Sequence, residues 1–278
     1  MLNLRESQGG DYNALLTQYA IERFLYRLSK SELADHFILK GAMLFRVWSG
    51  TTHRPTKDLD LLGSGDPSPN AVADTIRHII AVSVNDDGMT FDASSIEARE
   101  IREAQEYGGI CVKLVAFLGN ARIPMQIDVG FGDAVTPAAQ IQPFPTLLDM
   151  DAPQLRMYPP ETVIAEKVEA AVRLGMTNSR MKDYFDLLVL LRDENMAHER
   201  VVDALTATFQ RRKTPPPAEV PPGLSDDFGR DERASRLWRE FLRRMEIDDM
   251  PTDFIAVVTE LRDHIWPLLV KARNRQES

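Results

Sequence analysis

The chain has 278 residues, 44% of them hydrophobic, and a formal charge of −9 at pH 7. This length is sufficient for two domains, each with a core of its own. The acidic charge excludes a protein held on nucleic acid by bulk electrostatics, so any nucleic-acid contact must use a local basic surface.

The cysteine and histidine content restricts the redox and metal chemistry. A single cysteine, Cys111, excludes an internal disulfide and a zinc cluster made of cysteines. The five histidines are scattered and form no HExxH motif. The N-terminus does not resemble a signal peptide, and no stretch of 18 uncharged apolar residues occurs. We therefore expect a cytoplasmic protein without zinc and without a membrane partner.

The first predicted elements form a helix, a short strand and a tight corner. Residues 12–30 have the periodicity of an amphipathic helix, and Phe37-Ile38-Leu39 is typical of a short buried strand. The strand stops at Gly41, after which residues 43–48 are expected to be helical. The pattern therefore predicts a strand, a glycine turn and a helix in direct succession.

The next predicted strand contains two carboxylates. Asp58 and Asp60 lie in Arg54-Pro55-Thr56-Lys57-Asp58-Leu59-Asp60-Leu61-Leu62. Alternate side chains of a strand point the same way, so both carboxylates project from one face. Such a pair supplies half of a Mg²⁺ site, which water and substrate phosphates complete. The alternative for an isolated Asp-Leu-Asp is a polar strand end that faces solvent.

A third carboxylate lies in a predicted hairpin. After a helix expected from Asn70 to about Val82, residues 110–118 and 123–131 alternate around Gly119-Asn120-Ala121. Asp128 is in the second arm of this hairpin. If that arm lies beside the Asp-Leu-Asp strand, Asp128 reaches the same metal region. The alternative is a residue at the rim of the sheet.

The patterns become helical beyond about residue 150. Pro159-Pro160-Glu161 is expected to open a helix that ends at Gly175. Lys167 lies off the centre of its apolar stripe, where an ordinary surface lysine is the alternative. The following helix carries Asp183 and Asp186 on one face, and both also suit the first turn of a helix.

A proline-rich spacer at residues 215–223 divides this helical region, since it suits neither a helix interior nor a central strand. Two further helices are expected at residues 230–245 and 254–270. The first is crowded with arginines: Arg233, Arg236, Arg239, Arg243 and Arg244. They form either a local basic face or a solvated charged surface.

The order of these pieces resembles the nucleotidyltransferase core of DNA polymerase β type. Four segments are similar to the successive motifs of the AbiEii/AbiGii toxin family, which includes the MenT group: Phe37-Ile38-Leu39-Lys40-Gly41-Ala42-Met43-Leu44-Phe45, Arg54-Pro55-Thr56-Lys57-Asp58-Leu59-Asp60, Ala165-Glu166-Lys167 and Arg180-Met181-Lys182-Asp183-Tyr184-Phe185-Asp186. The chain departs from the usual Gly-Gly or Gly-Ser turn, because it has Gly41-Ala42.

The resemblance implies an α+β fold. Residues 1–150 would form a polymerase-β-like nucleotidyltransferase core with a small mixed sheet. Residues 151–278 would form a mostly helical domain that completes the active site and contains the spacer at 215–223.

The resemblance also assigns roles to individual residues. Asp58 and Asp60 would hold Mg²⁺, with Asp128 as a third metal ligand. The expected nucleotide-binding residues are Gly41, which lets the backbone approach the triphosphate, Arg54 and Thr56, which lie near the phosphates, and Lys167. Asp183 would complete the catalytic set with Asp58, Asp60 and Lys167, either by orienting Lys167 or by accepting a proton from the attacking hydroxyl.

The activity implied is transfer of a nucleotide from an NTP to the 3′ end of tRNA, which blocks aminoacylation and so inhibits translation and growth. The expected partners are an NTP, a tRNA acceptor and a cognate antitoxin protein. Two alternatives remain open. One is a kinase-like phosphotransferase toxin that moves the γ-phosphate to a protein hydroxyl, and the other is a non-catalytic module that binds RNA or an antitoxin.

Overall fold

The computed structural model describes residues 11–49, 56–101, 108–193 and 196–277. Contacts divide the chain into two compact units. The first comprises Met1–Gly132 and Ala139–Tyr158, and the second comprises Asp133–Ala138 and Pro159–Ser278. Among the described residues, every strand belongs to the first unit.

The first unit is a sheet with three helices in its described part. Its strands are β1 (Phe37–Lys40), β2 (Asp58–Gly63), β3 (Met89–Ile101), β4 (Gly109–Leu118), β5 (Ala121–Phe131), β6 (Gln140–Pro143) and β7 (Gln154–Met157). Its helices are α1 (Tyr12–Lys30), α2 (Phe45–Ser49) and α3 (Pro69–Ile80), and a 3₁₀ turn at Gly41–Leu44 joins β1 to α2.

The sheet is mixed, as predicted, and has seven strands in the order β3-β4-β5-β2-β1-β7-β6. β2 is parallel to β5 and β1 is parallel to β7, while the other neighbours are antiparallel. The predicted hairpin of β4 and β5 is confirmed, with Leu118 opposite Ala121. The expected neighbour relation of β5 and the Asp-Leu-Asp strand is also confirmed.

Three strands were missed by the sequence patterns. Only two of the 13 residues of β3 are buried, and its register shifts between Asp92 and Glu97, so it lacks a clean alternation of apolar and polar residues. β6 and β7 have only four residues each, and β7 lies in a region whose patterns were interpreted as helical. Because β7 pairs with β1, residues 154–157 belong to the first unit.

The core of the first unit lies on one face of the sheet. Leu59 and Leu61 of β2 lie opposite Ile127 and Val129 of β5, and all four are fully buried. Helix α1 contacts β5 and covers this apolar layer. The alternate positions of the same strands therefore face away from the core.

Helix α3 begins earlier than predicted. Ser68 is its N-cap, accepting a hydrogen bond from the Ala71 amide at 3.4 Å, and Pro69 occupies the first turn. The predicted cap at Asn70 was wrong, since Asn70 already lies inside the helix, which ends at Ile80 rather than Val82.

The second unit is helical throughout its described part. Its helices are α4 (Pro160–Leu174), α5 (Met181–Leu191), α6 (His198–Arg211), α7 (Asp226–Arg230), α8 (Glu232–Met245) and α9 (Phe254–Glu277). The last helix continues through Pro267 and passes the predicted end at residue 270. No helix among the described residues has the length and apolarity needed to cross a membrane.

The proline-rich segment ends in a packed turn. Gly223 lies so close to α4 that a Cβ there would be 2.3 Å from the Ala171 carbonyl oxygen. The buried Tyr184 hydroxyl donates a hydrogen bond to the Gly223 carbonyl at 2.9 Å. Phe228 and Phe254 pack against the Tyr184 ring, with ring centroids 5.7 and 5.5 Å away. The end of this segment is therefore part of the helical core.

Candidate active site

The two carboxylates of β2 lie in a row of polar residues that crosses the sheet. Asp58 lies opposite Gln126, and Asp60 lies between Lys40 on one side and Asp128 on the other. Paired residues on neighbouring strands project from the same face. The sheet therefore brings Asp60 and Asp128 together, as the hairpin prediction required.

The polar face of the sheet is accessible to solvent at β2, whereas the opposite face is buried. Asp58 is exposed and Asp60 is half-buried, whereas Leu59 between them is fully buried. The apolar alternate residues anchor the strand in the core and so orient both carboxylates away from it. The Asp-Leu-Asp segment thus forms an acidic patch on a rigid strand.

Gly41 forms the tight corner that its sequence position indicated. Its φ of +77° is in the left-handed region, which favours glycine. An added Cβ would lie 2.1 Å from Oδ2 of Asp60 and 2.7 Å from its carboxyl carbon. Only glycine leaves room for the Asp60 carboxylate in this position. In this structure the group that lies directly against Gly41 is therefore the Asp60 carboxylate.

Asp128 is held by its neighbours on the same sheet. The Gln126 amide nitrogen donates to both carboxylate oxygens of Asp128, at 3.1 and 3.0 Å. Cys111 lies opposite Asp128, where burial and then the Asp128 carboxylate raise the pKa of its thiol. Within the described part of the chain, no group of three or more His, Cys, Asp or Glu side chains is arranged to hold a metal ion. The metal role of Asp128 stays a prediction.

A cavity of about 710 Å³ lies beside Asp128 in the first unit. Its lining combines polar and apolar side chains: Pro69, Arg99, Glu100, Ile101, Cys111, Gln126 and Asp128. The volume is within the range of about 300–1,000 Å³ that is typical of small-molecule sites. The polar face of the sheet therefore includes a concave surface next to the acidic row.

Two predicted phosphate-binding residues precede β2. The Thr56 hydroxyl donates to the Asp58 carbonyl at 3.3 Å, so Thr56 stabilises the entry to the strand. Arg54 lies outside the described residues. The phosphate-binding roles of both stay predictions.

The predicted residues of the second unit form a buried ionic cluster. Lys167 of α4 contacts two carboxylates of α5, with Nζ 2.7 Å from Asp183 Oδ1 and 2.7 Å from Asp186 Oδ2. The side chains are 14%, 3% and 1% exposed, respectively. Lys167 is therefore not the ordinary surface lysine of the alternative interpretation.

Arg180 completes this cluster, with its Nε 2.6 Å from Asp183 Oδ2. Burial favours the neutral form of Asp183, but the Lys167 and Arg180 charges outweigh it and hold the pKa of Asp183 below its ordinary value. Burial likewise acts to lower the pKa of Lys167, but Asp183 and Asp186 raise it. Two cations and two carboxylates thus balance each other.

Asp186 was not among the predicted site residues, although its spacing from Asp183 placed both on one helix face. The missing information was the position of Lys167, which lies on a different helix and contacts both carboxylates. Gln126 was also missed. The sequence signal that could have identified Gln126 was its spacing of two residues from Asp128, which places both side chains on one face of the strand.

A second ionic cluster supports α4 next to Lys167. Arg212 Nη1 lies 2.8 Å from Glu169 Oε2, and its Nη2 lies 3.1 Å from Asp133 Oδ1. Glu169 is fully buried and also accepts a hydrogen bond from the Thr214 hydroxyl at 2.7 Å. These contacts tie α4 to the chain that follows α6, and they restrict the rotation of the helix that presents Lys167.

Comparison with solved structures shows where this fold occurs. A nucleotidyltransferase candidate from H. pylori aligns with a TM-score of 0.52 at 15% identity, covering 95% of this chain and 98% of its own. The H. pylori protein JHP933 aligns with a TM-score of 0.51 at 14% identity, with 96% of each chain covered. At these identities the similarity shows the fold alone. No curated protein matches the sequence.

The family assignment comes from the sequence itself. The family model described as the nucleotidyl transferase AbiEii toxin of type IV toxin–antitoxin systems matches residues 23–260. That range includes all four motifs on which the predicted resemblance depended, and the prediction is confirmed. Since the match extends over most of its length, the chain belongs to the AbiEii family of nucleotidyltransferase toxins.

Proposed function

We propose that this nucleotidyltransferase toxin is Mg²⁺-dependent and transfers a nucleotide from an NTP to the 3′ end of tRNA, which inhibits translation and growth. The observation that carries the proposal is the pair Asp58 and Asp60, which project from one strand face with Asp60 packed against Gly41. A toxin of this family also implies an antitoxin partner.

The residues present are suited to Mg²⁺. Asp58 and Asp60 supply hard carboxylate oxygens, and magnesium sites use one or two such ligands together with substrate phosphates. These two residues would hold the ion, with Asp128 as a candidate third ligand. When bound, the ion supplies charge stabilisation to the phosphates of the NTP.

The turn at Gly41 supports a positioning role. Because Gly41 has no side chain, the Asp60 carboxylate rests directly against the backbone of the turn. The turn therefore limits how Asp60 can rotate, and the buried residues on either side keep the strand fixed. We infer that Gly41, Thr56 and Arg54 form the side of the site that receives the triphosphate.

The cluster in the second unit supports one of the two roles considered for Asp183. A carboxylate whose pKa is held low by two cations is a weak proton acceptor. Asp183 and Asp186 instead hold Lys167 protonated and in one place. We infer that Lys167 contacts the NTP as a fixed cation and that Asp183 orients it.

Labelled nucleotides test the reaction directly. The purified chain is incubated with tRNA, Mg²⁺ and an NTP labelled at either the α- or the γ-phosphate. Nucleotide transfer places α-label on the RNA and releases γ-label as pyrophosphate. Label from only the γ position on an acceptor would instead establish the phosphotransferase alternative and overturn the proposal.

Expression in cells tests the link between this site and toxicity. We expect growth arrest with the wild-type chain, release of the arrest with Asp58→Ala, and accumulation of tRNA extended at its 3′ end in the wild type only. Equal toxicity of Asp58→Ala would show that toxicity does not require catalysis at Asp58, as expected of a non-catalytic binding module.

A further inference from the structure

Helix α8 (Glu232–Met245) presents a strongly basic face. Its buried side is made of Ala234, Trp238, Phe241 and Leu242. All five of its arginines are exposed: Arg233, Arg236, Arg239, Arg243 and Arg244. At about 100° per residue these arginines occupy an arc of about 140° that lies opposite the buried side. We call this surface the arginine face.

The charges of the arginine face are not neutralised within the described structure. None of the five arginine side chains forms an ion pair or hydrogen bond with another described residue. Glu232 and Glu240 lie on the same side of the helix but within ion-pair distance of none of them. The arginine face therefore combines five cations with two carboxylates.

Several exposed cations elsewhere in the second unit have acidic partners. Arg192 forms an ion pair with Glu260 at 2.6 Å. Lys271 and Arg275 lie 2.8 and 2.6 Å from Glu199. In a chain with a net charge of −9, acidic residues are abundant, yet none forms an ion pair with the arginine face in the described part of the chain. The arginine face is thus a local positive surface on an acidic protein.

We propose that the arginine face of α8 binds the phosphate backbone of the RNA acceptor, an assignment that rests on the proposed function. The interaction would be between guanidinium groups and phosphate oxygens, which arginine contacts in a bidentate manner. Arg233 and Arg244 are separated by about 16 Å along the helix axis, at a rise of 1.5 Å per residue. This length allows contact with several successive phosphates, independently of base sequence.

The same surface is poorly suited to a protein partner. The centre of a stable protein interface contains buried aromatic or apolar anchors, which arginines accompany but do not replace. The aromatic residues of α8, Trp238 and Phe241, are buried in the helical core. The exposed surface of α8 is therefore charged and has no apolar centre, and such a surface complements a polyanion.

The test compares two triple variants that lose the same charge. Arg236→Gln/Arg239→Gln/Arg243→Gln removes three cations from the arginine face. Arg192→Gln/Lys271→Gln/Arg275→Gln removes three exposed cations that already have carboxylate partners. Glutamine is a good helix former, so both variants should keep the helices, which thermal unfolding verifies. The dissociation constant for tRNA is measured from about 50 to 200 mM salt.

For the arginine-face variant we expect binding weakened about tenfold or more at about 100 mM salt, and a slope of log K against log salt that is less negative by about 2–3. The control variant should bind like the wild type. In the transfer assay, KM for tRNA should rise in the arginine-face variant while kcat at saturating RNA stays unchanged.

The outcomes separate this inference from the proposed function. If the wild type extends tRNA and both triple variants bind it equally well, the arginine face does not bind RNA and the inference is overturned. If the wild type binds tRNA more tightly than the arginine-face variant does but transfers no nucleotide, the proposed function fails while the binding surface stands. If the arginine-face variant loses antitoxin binding and keeps its RNA affinity, the face belongs to the antitoxin and the inference is overturned.

Discussion

The two units of this toxin use charged residues in opposite ways. In the first, Asp58 and Asp60 share one face of a strand, one exposed and one half-buried, above a fully apolar layer. In the second, Lys167 is buried between Asp183 and Asp186, and the charges balance within the cluster. The first arrangement places carboxylates on an accessible strand face, whereas the second buries carboxylates against cations.

This difference indicates what each arrangement does physically. Carboxylates on the accessible face of a rigid strand are suited to bind a cation. A buried ion pair gains its attraction at the cost of desolvation, so its main effect is to hold side chains in one geometry. Substitutions in the acidic pair should therefore affect mainly activity. Substitutions in the buried cluster should affect the position of Lys167 and the stability of the fold.

The largest expected effect is on activity at the acidic pair. Asp60→Asn keeps the size of the side chain and removes its charge, so nucleotide transfer should fall by about 10³-fold or more, which corresponds to about 4 kcal/mol. Steady-state transfer of α-labelled NTP measures the loss. Urea unfolding should show little change in stability.

Glu97→Gln is the matched control, because Glu97 is an exposed carboxylate of β3 on the same sheet face. Its activity should stay at the wild-type level. A loss of less than tenfold in Asp60→Asn would contradict the assignment of Asp60 to the centre of the site.

The next effect is on stability at the buried cluster. Lys167→Met leaves Asp183 and Asp186 buried side by side without their shared cation, which should lower the free energy of unfolding by about 3–5 kcal/mol. Urea unfolding measures this change. Adding Asp183→Asn and Asp186→Asn to Lys167→Met should restore part of the stability but not the activity.

Lys271→Met provides the comparison at the surface. Lys271 is 55% exposed in its pair with Glu199, so its loss should cost no more than about 1 kcal/mol. Equal costs for the two lysine variants would show that burial of the Lys167 cluster does not determine its contribution.

A smaller effect on stability and activity is expected from substitution of Gly41, whose turn lies against the Asp60 carboxylate. Gly41→Ala introduces a Cβ within 2.1 Å of the Asp60 carboxylate at a φ of +77°. We expect a stability loss of about 1–3 kcal/mol from strain, together with reduced transfer because Asp60 is displaced. Thermal unfolding and the transfer assay measure the two effects.

Gly119→Ala isolates the contribution of backbone strain. Gly119 also has a positive φ, of +56°, but an added Cβ there meets nothing within 4 Å. This variant should lose about 1–2 kcal/mol and keep full activity. If Gly41→Ala also keeps full activity, the contact with Asp60 does not position the carboxylate.

The smallest effect is the dependence of stability on pH. The pKa of Asp183 is lowered in the folded state, so its stabilisation is present above the ordinary pKa of an aspartate, about 3.9, and is lost as the pH falls below it. The pKa of Lys167 is raised, so its contribution is lost as the pH rises beyond about 10.4.

Asp183→Asn should therefore flatten the acid limb of the stability curve, by about 1.4 kcal/mol for each unit by which the pKa is lowered. Urea unfolding between about pH 2 and pH 6 measures it. An unchanged acid limb would mean that other carboxylates cause the acid sensitivity.

Much of the architecture was predictable because it depends on local patterns. Helix α1 has the predicted bounds of 12 and 30, because a 3.6-residue period over such a length is a strong signal. The β4–β5 hairpin was equally clear from alternation around Gly119. β3, β6 and β7 were missed because exposed or very short strands carry little periodicity.

The candidate site shows the same division. The sequence by itself determined the family, through four motifs in order, and the local geometry of Asp58 and Asp60, since a strand alternates its side chains. Only the tertiary structure decided that Asp60 packs against Gly41 and lies opposite Asp128, and that Asp186 shares Lys167 with Asp183. These relations depend on which strands pair and how helices rotate against each other, and such long-range packing leaves no spacing signal in the chain.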